Sequence, residues 1–186
     1  MTIATLTTDR LVLRAFTEQD VDALHRVLSD REVHRYFPRT DPPSRDRVEK
    51  IIAGQLEHWK EHGYGWWAVL LRSNQELIGW CGLQFVPEFE EAEVAFLLSK
   101  AHWGKGLGTE AAQAAARFGF ETLGLERLIA IAHVENTASQ RVIEKLGLSF
   151  VEQLHLWGIE CYRYAQQSPR PKSELGADEP ICSRCS

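Results

Sequence analysis

The segment His102-Trp-Gly-Lys-Gly-Leu-Gly-Thr-Glu110 constrains this chain more than any other. The apolar run Val94-Ala-Phe-Leu-Leu98 precedes it and has the length of a strand. After it, residues 109–123 are strong helix formers with Glu110 in the first turn and Gly124 as a stop. A strand therefore feeds a glycine-rich turn, and the turn opens a helix. Such a turn presents unpaired N–H groups at the positive end of a helix dipole, where phosphate is favoured. Glycines at 104, 106 and 108 also allow a ligand approach that a Cβ would block.

The glycines alone do not name the phosphate compound. A P-loop requires Gly-Lys followed by Ser or Thr, whereas Gly104-Lys105 is followed by Gly106. A dinucleotide fingerprint needs a third glycine where Thr109 stands. Glu135, after the next strand, still offers a ribose ligand, so a dinucleotide-binding oxidoreductase stays as an alternative. The strands upstream with no helix between them speak against it.

Downstream, Arg127-Leu-Ile-Ala-Ile-Ala132 reads as a strand. Asn136-Thr-Ala-Ser139-Gln-Arg-Val-Ile-Glu-Lys-Leu-Gly147 reads as a helix capped by Asn136 and stopped by Gly147. Together with Trp103-Gly-Lys-Gly-x-Gly-Thr-Glu110, Thr8-x-Arg10-Leu-x-Leu-Arg14 and Gly79-x-Cys-Gly82, this run resembles the GNAT family of acetyl-CoA-dependent N-acetyltransferases. The resemblance covers residues 8–165 and is to the branch related to the ribosomal-protein N-terminal acetyltransferases. It implies an α/β (α+β) fold: a mixed, mostly antiparallel sheet, flanking helices, and a central parallel strand pair splayed to admit CoA. The implied reaction is direct acetyl transfer from acetyl-CoA to a primary amine, on a protein N-terminus or a small molecule. A non-catalytic acyl-CoA-binding module is the other reading of the same features.

The chain of 186 residues suits one domain, residues 1–165, and residues 166–186 read as a mobile tail by their proline-rich, charged composition. A net charge of −5 argues against a general nucleic-acid surface and suits a cationic acceptor. No apolar run has the length of a membrane span and no secretory leader is visible, so a cytoplasmic protein is expected. The four cysteines form no disulfide framework, and Cys182-Ser-Arg-Cys185 lacks a second ligand pair for zinc. Homodimerisation is common in such folds and stays open.

Upstream, Thr17 and Ser44 are expected to cap helices, and prolines at 38, 42 and 43 mark the loop between them. In the resemblance these helices border the acceptor site, which assigns Tyr36 and Phe37, with His34 and Arg39 beside them, to the amine substrate. His58-Trp-Lys-Glu61-His62 matches a zinc-protease pattern, but it falls in the last turn of a helix, where histidine is favoured anyway. No metal site is expected.

The resemblance also distributes the chemistry. The pantetheine arm is expected along the backbone of Phe96, Leu97 and Leu98. The pyrophosphate is expected on Trp103, Gly104, Lys105, Gly106, Leu107, Gly108 and Thr109, with Asn136 at the arm and Arg141 at a phosphate. Trp103 departs from the Arg or Gln usual in the wider family. Glu93 is the expected general base, with Glu91, His133 or a water relay as alternatives, because an ammonium must lose its proton before it attacks. The helix beginning at Asn136 has no tyrosine for the leaving thiolate, and Ser139 is expected to donate a hydrogen bond to the developing charge.

Overall fold

The structure, a computed structural model, describes residues 2–169. One sheet organises them: β1 (Leu6–Thr7), β2 (Leu11–Arg14), β3 (Trp66–Leu71), β4 (Leu77–Val86), β5 (Glu91–Leu98), β6 (Arg127–His133), β7 (Ser149–Leu156) and β8 (Ile159–Gln167). Their order is β1-β2-β3-β4-β5-β6-β8-β7, and every neighbouring pair is antiparallel except β5 and β6. This is the mixed, mostly antiparallel sheet expected from the sequence. A doubly wound parallel sheet, the frame a dinucleotide-binding oxidoreductase would need, is absent among the described residues.

Helices cover both faces. On one lie α1 (Val21–Leu28) and α2 (Arg45–His62); on the other, α3 (Leu107–Arg117) and α4 (Thr137–Lys145). The α2 helix starts where the Ser44 hydroxyl accepts the Arg47 N–H at 3.3 Å and ends at Gly63, whose φ of 75° suits glycine. Its buried stripe is Val48, Ile52 and Trp59. Trp59 stands edge-on to Trp67 with ring centroids 4.8 Å apart, and Trp67 stands edge-on to Phe118 at 5.2 Å. Trp67 is fully buried, so truncating it to alanine should cost about 3–5 kcal/mol. Trp66 and Trp80 stack face to face 3.7 Å apart under α1 and α2.

Several boundaries differ from expectation. The α3 helix begins at Leu107, two residues before 109, because Gly106 takes φ 77° and lets the chain turn directly into the helix. It ends at Arg117, and residues 118–122 continue as one wide turn in which Leu123 donates to the Phe118 carbonyl. Thr17, by contrast, is the N-cap expected of it, in a capping box with the buried Asp20: its hydroxyl and N–H both meet the Asp20 carboxylate, which Arg14 grips with two nitrogens at 2.7 and 2.8 Å. The last strand runs to Gln167, two residues past the expected domain end, and Cys182 and Cys185 lie outside the described residues. Among the described residues, no helix is long and apolar enough to cross a membrane.

Candidate active site

The parallel pair at the centre of the sheet parts almost as soon as it forms. The β4 and β5 strands stay in register from Val86–Glu91 to Gly79–Leu98, whereas β5 and β6 pair only at Glu93–Ile129. Beyond that point a gap opens toward the C-terminal ends of both strands. Ser99 donates to the Ile78 carbonyl, which fixes the alternation: the backbone of Leu97 faces β4, and that of Phe96 and Leu98 faces the gap. The Leu98 carbonyl is already taken, because the half-exposed Trp103 indole donates to it at 2.7 Å. Of the three residues expected to pair with a ligand, Phe96 is thus the one that offers both backbone groups.

The glycine turn lies past the end of β5. Gly104 and Gly106 take φ of 71° and 77°, and no side chain caps α3. Glu110 is the first N–H of this helix bonded within it, at 3.1 Å to the Gly106 carbonyl. The N–H groups of Leu107, Gly108 and Thr109 are therefore the orphan donors of the helix start. Lys105 is exposed beside them. This arrangement fits a pyrophosphate by donor chemistry. The turn is braced from behind: Arg10 donates to the Lys105 carbonyl at 2.8 Å and to Glu110 at 2.7 Å. Sequence reasoning noted Arg10 and Glu110 separately but not their pairing, which joins positions a hundred residues apart.

The α4 helix follows the end of β6. Asn136 is its cap, accepting the Ser139 N–H at 3.2 Å. Because the cap uses the Ser139 N–H, the half-buried Ser139 hydroxyl makes no hydrogen bond among the described residues. Arg141 is exposed one turn on and likewise has no partner among them.

Glu93 sits where the strands part and is only 5% exposed. Its Oε1 accepts the Ile131 N–H at 3.3 Å, a donor that a continuing parallel ladder would have used. Its Oε2 accepts from the Gln84 amide directly opposite on β4. Burial pushes its carboxyl up to about 7; the Gln84 and Ile131 bonds oppose this, and the Glu88 charge adds to it. Cys161 of β8 is buried nearby, its thiol raised by burial and then by the charge of Glu93. A carboxyl balanced near neutrality can both take and release a proton.

The other candidates for the base have other partners. Glu91 shares the face of Glu93, but Arg127 at 3.0 Å and Arg163 at 3.4 Å engage its carboxylate. His133 accepts the Glu135 N–H at Nδ1, and its ring lies 5.3 Å from that of Tyr36. Tyr36 thus reaches the end of β6 from the loop before α2. Phe37 instead lies edge-on to His34 and is 37% exposed, and His34 bonds the Leu28 carbonyl. The structure brings Tyr36, not Phe37, to the splayed strands.

The pair His58 and His62, 4.4 Å apart, is built into the aromatic packing around Tyr64 and Phe85. His58 accepts the Phe85 N–H at Nε2. Among the described residues, no group of three His, Cys, Asp or Glu is placed to hold a metal ion.

Comparison with known proteins agrees with this geometry. Residues 10–149 match the model of the acetyltransferase (GNAT) domain. The uncharacterized N-acetyltransferase YoaA of Bacillus subtilis (strain 168) is 32% identical over 143 residues, 76% of this chain and 81% of that protein. An acetyltransferase from Agrobacterium tumefaciens str. C58 superposes with a TM-score of 0.78 at 28% identity, over 90% of this chain and 96% of the other. The ribosomal L7/L12 alpha-N-protein acetyltransferase RimL, solved with coenzyme A, shares the fold with a TM-score of 0.76 at 20% identity, over 88% of this chain and 98% of its own. With its splayed parallel strands, its uncapped glycine turn and this match over most of its length, the chain belongs to the GNAT acetyltransferase family.

Proposed function

We propose that this acetyltransferase moves an acetyl group from acetyl-CoA directly to a primary amine, on a protein N-terminus or a small molecule. The observation that carries the reading is Glu93, a buried carboxyl at the point where β5 and β6 part, balanced near neutrality. Acetyl-CoA supplies the activated thioester. The N–H groups of Leu107, Gly108 and Thr109 hold its pyrophosphate, with Gly104 and Gly106 shaping the turn and Lys105 and Arg141 adding charge. Phe96 binds the pantetheine arm through both backbone groups, Leu98 adds only its N–H because Trp103 holds its carbonyl, and Leu97 is spent on β4. Trp103 closes the end of that strand, and Asn136 orients the start of α4.

Glu93 takes the proton of the incoming ammonium, directly or through one water. Ser139, whose hydroxyl is uncommitted among the described residues, donates to the negative charge that develops on sulfur. Tyr36 forms a wall of the acceptor side, with Phe37 at its outer rim. A site of this kind works within one subunit or in a homodimer, and the net charge of −5 is consistent with a non-nucleic-acid partner.

The test is thermal stabilisation by acetyl-CoA against NAD(H) and NADP(H) at matched concentrations. At about a hundredfold over Kd, a ligand stabilises by about 2.7 kcal/mol. A shift with acetyl-CoA followed by amine-dependent thiol release is the expected result. Binding without thiol release over a broad amine panel would instead mark an acyl-CoA-binding module.

A further inference from the structure

Among the described residues, Gln84 is the one side chain bonded to the Glu93 carboxylate. It lies directly opposite Glu93 in the antiparallel β4–β5 register, is half-buried, and plays no part in the assignments above. Its partner must exist in two forms during acetyl transfer. The carboxylate takes a proton from the ammonium, giving the carboxylic acid and a neutral amine, and the acid later releases that proton to solvent. A buried carboxylate needs donors; a buried carboxylic acid needs an acceptor for its O–H.

An amide serves both forms. With its NH₂ toward Glu93 it donates to the carboxylate; turned over about its last side-chain bond, it presents its carbonyl to the acid. Aliphatic residues offer neither. Lysine would only donate, and an ionised glutamate would only accept and repel. Because Ile131 N–H occupies Oε1 and Gln84 occupies Oε2, each oxygen keeps one lone pair and the carboxylate is held at both ends.

We infer that Gln84 is a positioning residue of the transfer reaction: its amide holds Glu93 in both protonation states by turning over as the proton arrives and leaves. The inference rests on the reading of Glu93 as the base. Other titratable groups facing Glu93 are the Glu88 carboxylate from the β4–β5 turn and the neutral Cys161 thiol from β8. Glu91 on its own strand is engaged by Arg127 of β6 and Arg163 of β8, and His133 and Tyr36 stand at the far end of β6.

The experiment is a ¹³C-carboxyl NMR titration of Glu93, assigned with Glu93→Gln, in wild type, Gln84→Met and Gln84→Glu. It needs no acceptor. Gln84→Met keeps the length but removes the donor, and Gln84→Glu opposes a second carboxylate. Both should raise the Glu93 midpoint by about half a pH unit or more. With any amine the wild type turns over, the acid limb of kcat should move equally. A half-unit move is about a threefold loss well below the midpoint, with recovery at high pH. Unchanged acetyl-CoA affinity shows that the fold is intact, and the glutamate variant replaces the methionine variant if the latter does not fold. An unmoved NMR midpoint, or a loss of rate equal at every pH, overturns the inference. A moved midpoint with Glu93→Gln as fast as wild type overturns the base assignment instead and leaves the Gln84–Glu93 link purely structural.

Discussion

Arg10 and Glu110 join the edge hairpin to the start of α3: the Arg10 guanidinium meets Glu110 Oε2 at 2.7 Å and its backbone N–H meets Oε1 at 2.8 Å. A further Arg10 nitrogen holds the Lys105 carbonyl, so the pair braces the glycine turn against the body of the sheet. Glu110 also complements the positive end of the α3 dipole.

Arg10→Ala should loosen the turn and weaken acetyl-CoA about tenfold, roughly 1.4 kcal/mol, with little change in kcat at saturation. Isothermal titration with acetyl-CoA checks this; unaltered affinity would show that the turn holds its shape unaided.

Glu110→Gln should act on stability. Burial alone would raise this carboxyl, but hydrogen bonds from Thr8 and from the Arg10 N–H and guanidinium prevail and hold it below the ordinary range. A carboxyl lowered in the folded state contributes stability above its unfolded pKa and loses it as pH falls through the folded one. The variant should therefore melt lower than wild type at pH 7, by about 1–2 kcal/mol, and the two should converge on strong acidification.

Glu93→Gln should reduce kcat at neutral pH by about a hundredfold or more. Wild-type kcat should climb with pH through about 7, where this carboxyl ionises. The stability effect has the opposite sign. A carboxyl raised in the folded state costs stability as pH rises from its unfolded toward its folded value, so the variant should melt higher than wild type at pH 8. At pH 5 the gain should vanish. Parallel melting curves across that range would contradict the burial of a titrating group.

Ser139→Ala should lower kcat about tenfold to a hundredfold at unchanged acetyl-CoA affinity, because its hydroxyl does not cap the helix. Asn136→Ala is the contrasting variant. Losing the cap should cost about 1 kcal/mol of stability. Equal melting losses for both would show that the hydroxyl is structural after all.

His58 is shifted below the ordinary imidazole value, first by burial and then by the nearby His62, with Glu61 opposing. Its Nε2 accepts the Phe85 N–H, so protonation removes an acceptor from a backbone donor. A histidine lowered in the folded state contributes stability above its unfolded pKa and loses it as pH falls through the folded one. The melting midpoint should drop on acidification from about pH 6.5 downward, and His58→Gln should flatten that drop.

Much of this molecule could be read from local signals. The glycines at 104 and 106, the Asn136 cap, the Ser44 cap and the alternation of β5 are short-range features, because turn geometry and helix capping are decided within a few residues. The same holds for Glu93 as a candidate on a strand before the turn. The two-residue strand β1 is not legible in the sequence because its length gives no periodicity. The start of α3 lies two residues before the expected 109 because Gly106 can act as either turn or cap.

The sequence by itself therefore determined the class of fold, the place of the glycine turn and the residue types on the strands and helix starts around it. Tertiary structure decided which of those residues act together. Gln84 meets Glu93 only through strand register, and Arg10 meets Glu110 only after the sheet brings the hairpin beside α3. Glu91 and Glu93, two residues apart on one strand, are separated in role by long-range partners: two arginines on one, apolar burial and an amide on the other. A carboxylate's proton affinity depends on desolvation and on the charges within a few ångströms, and both are set by what folding packs against it.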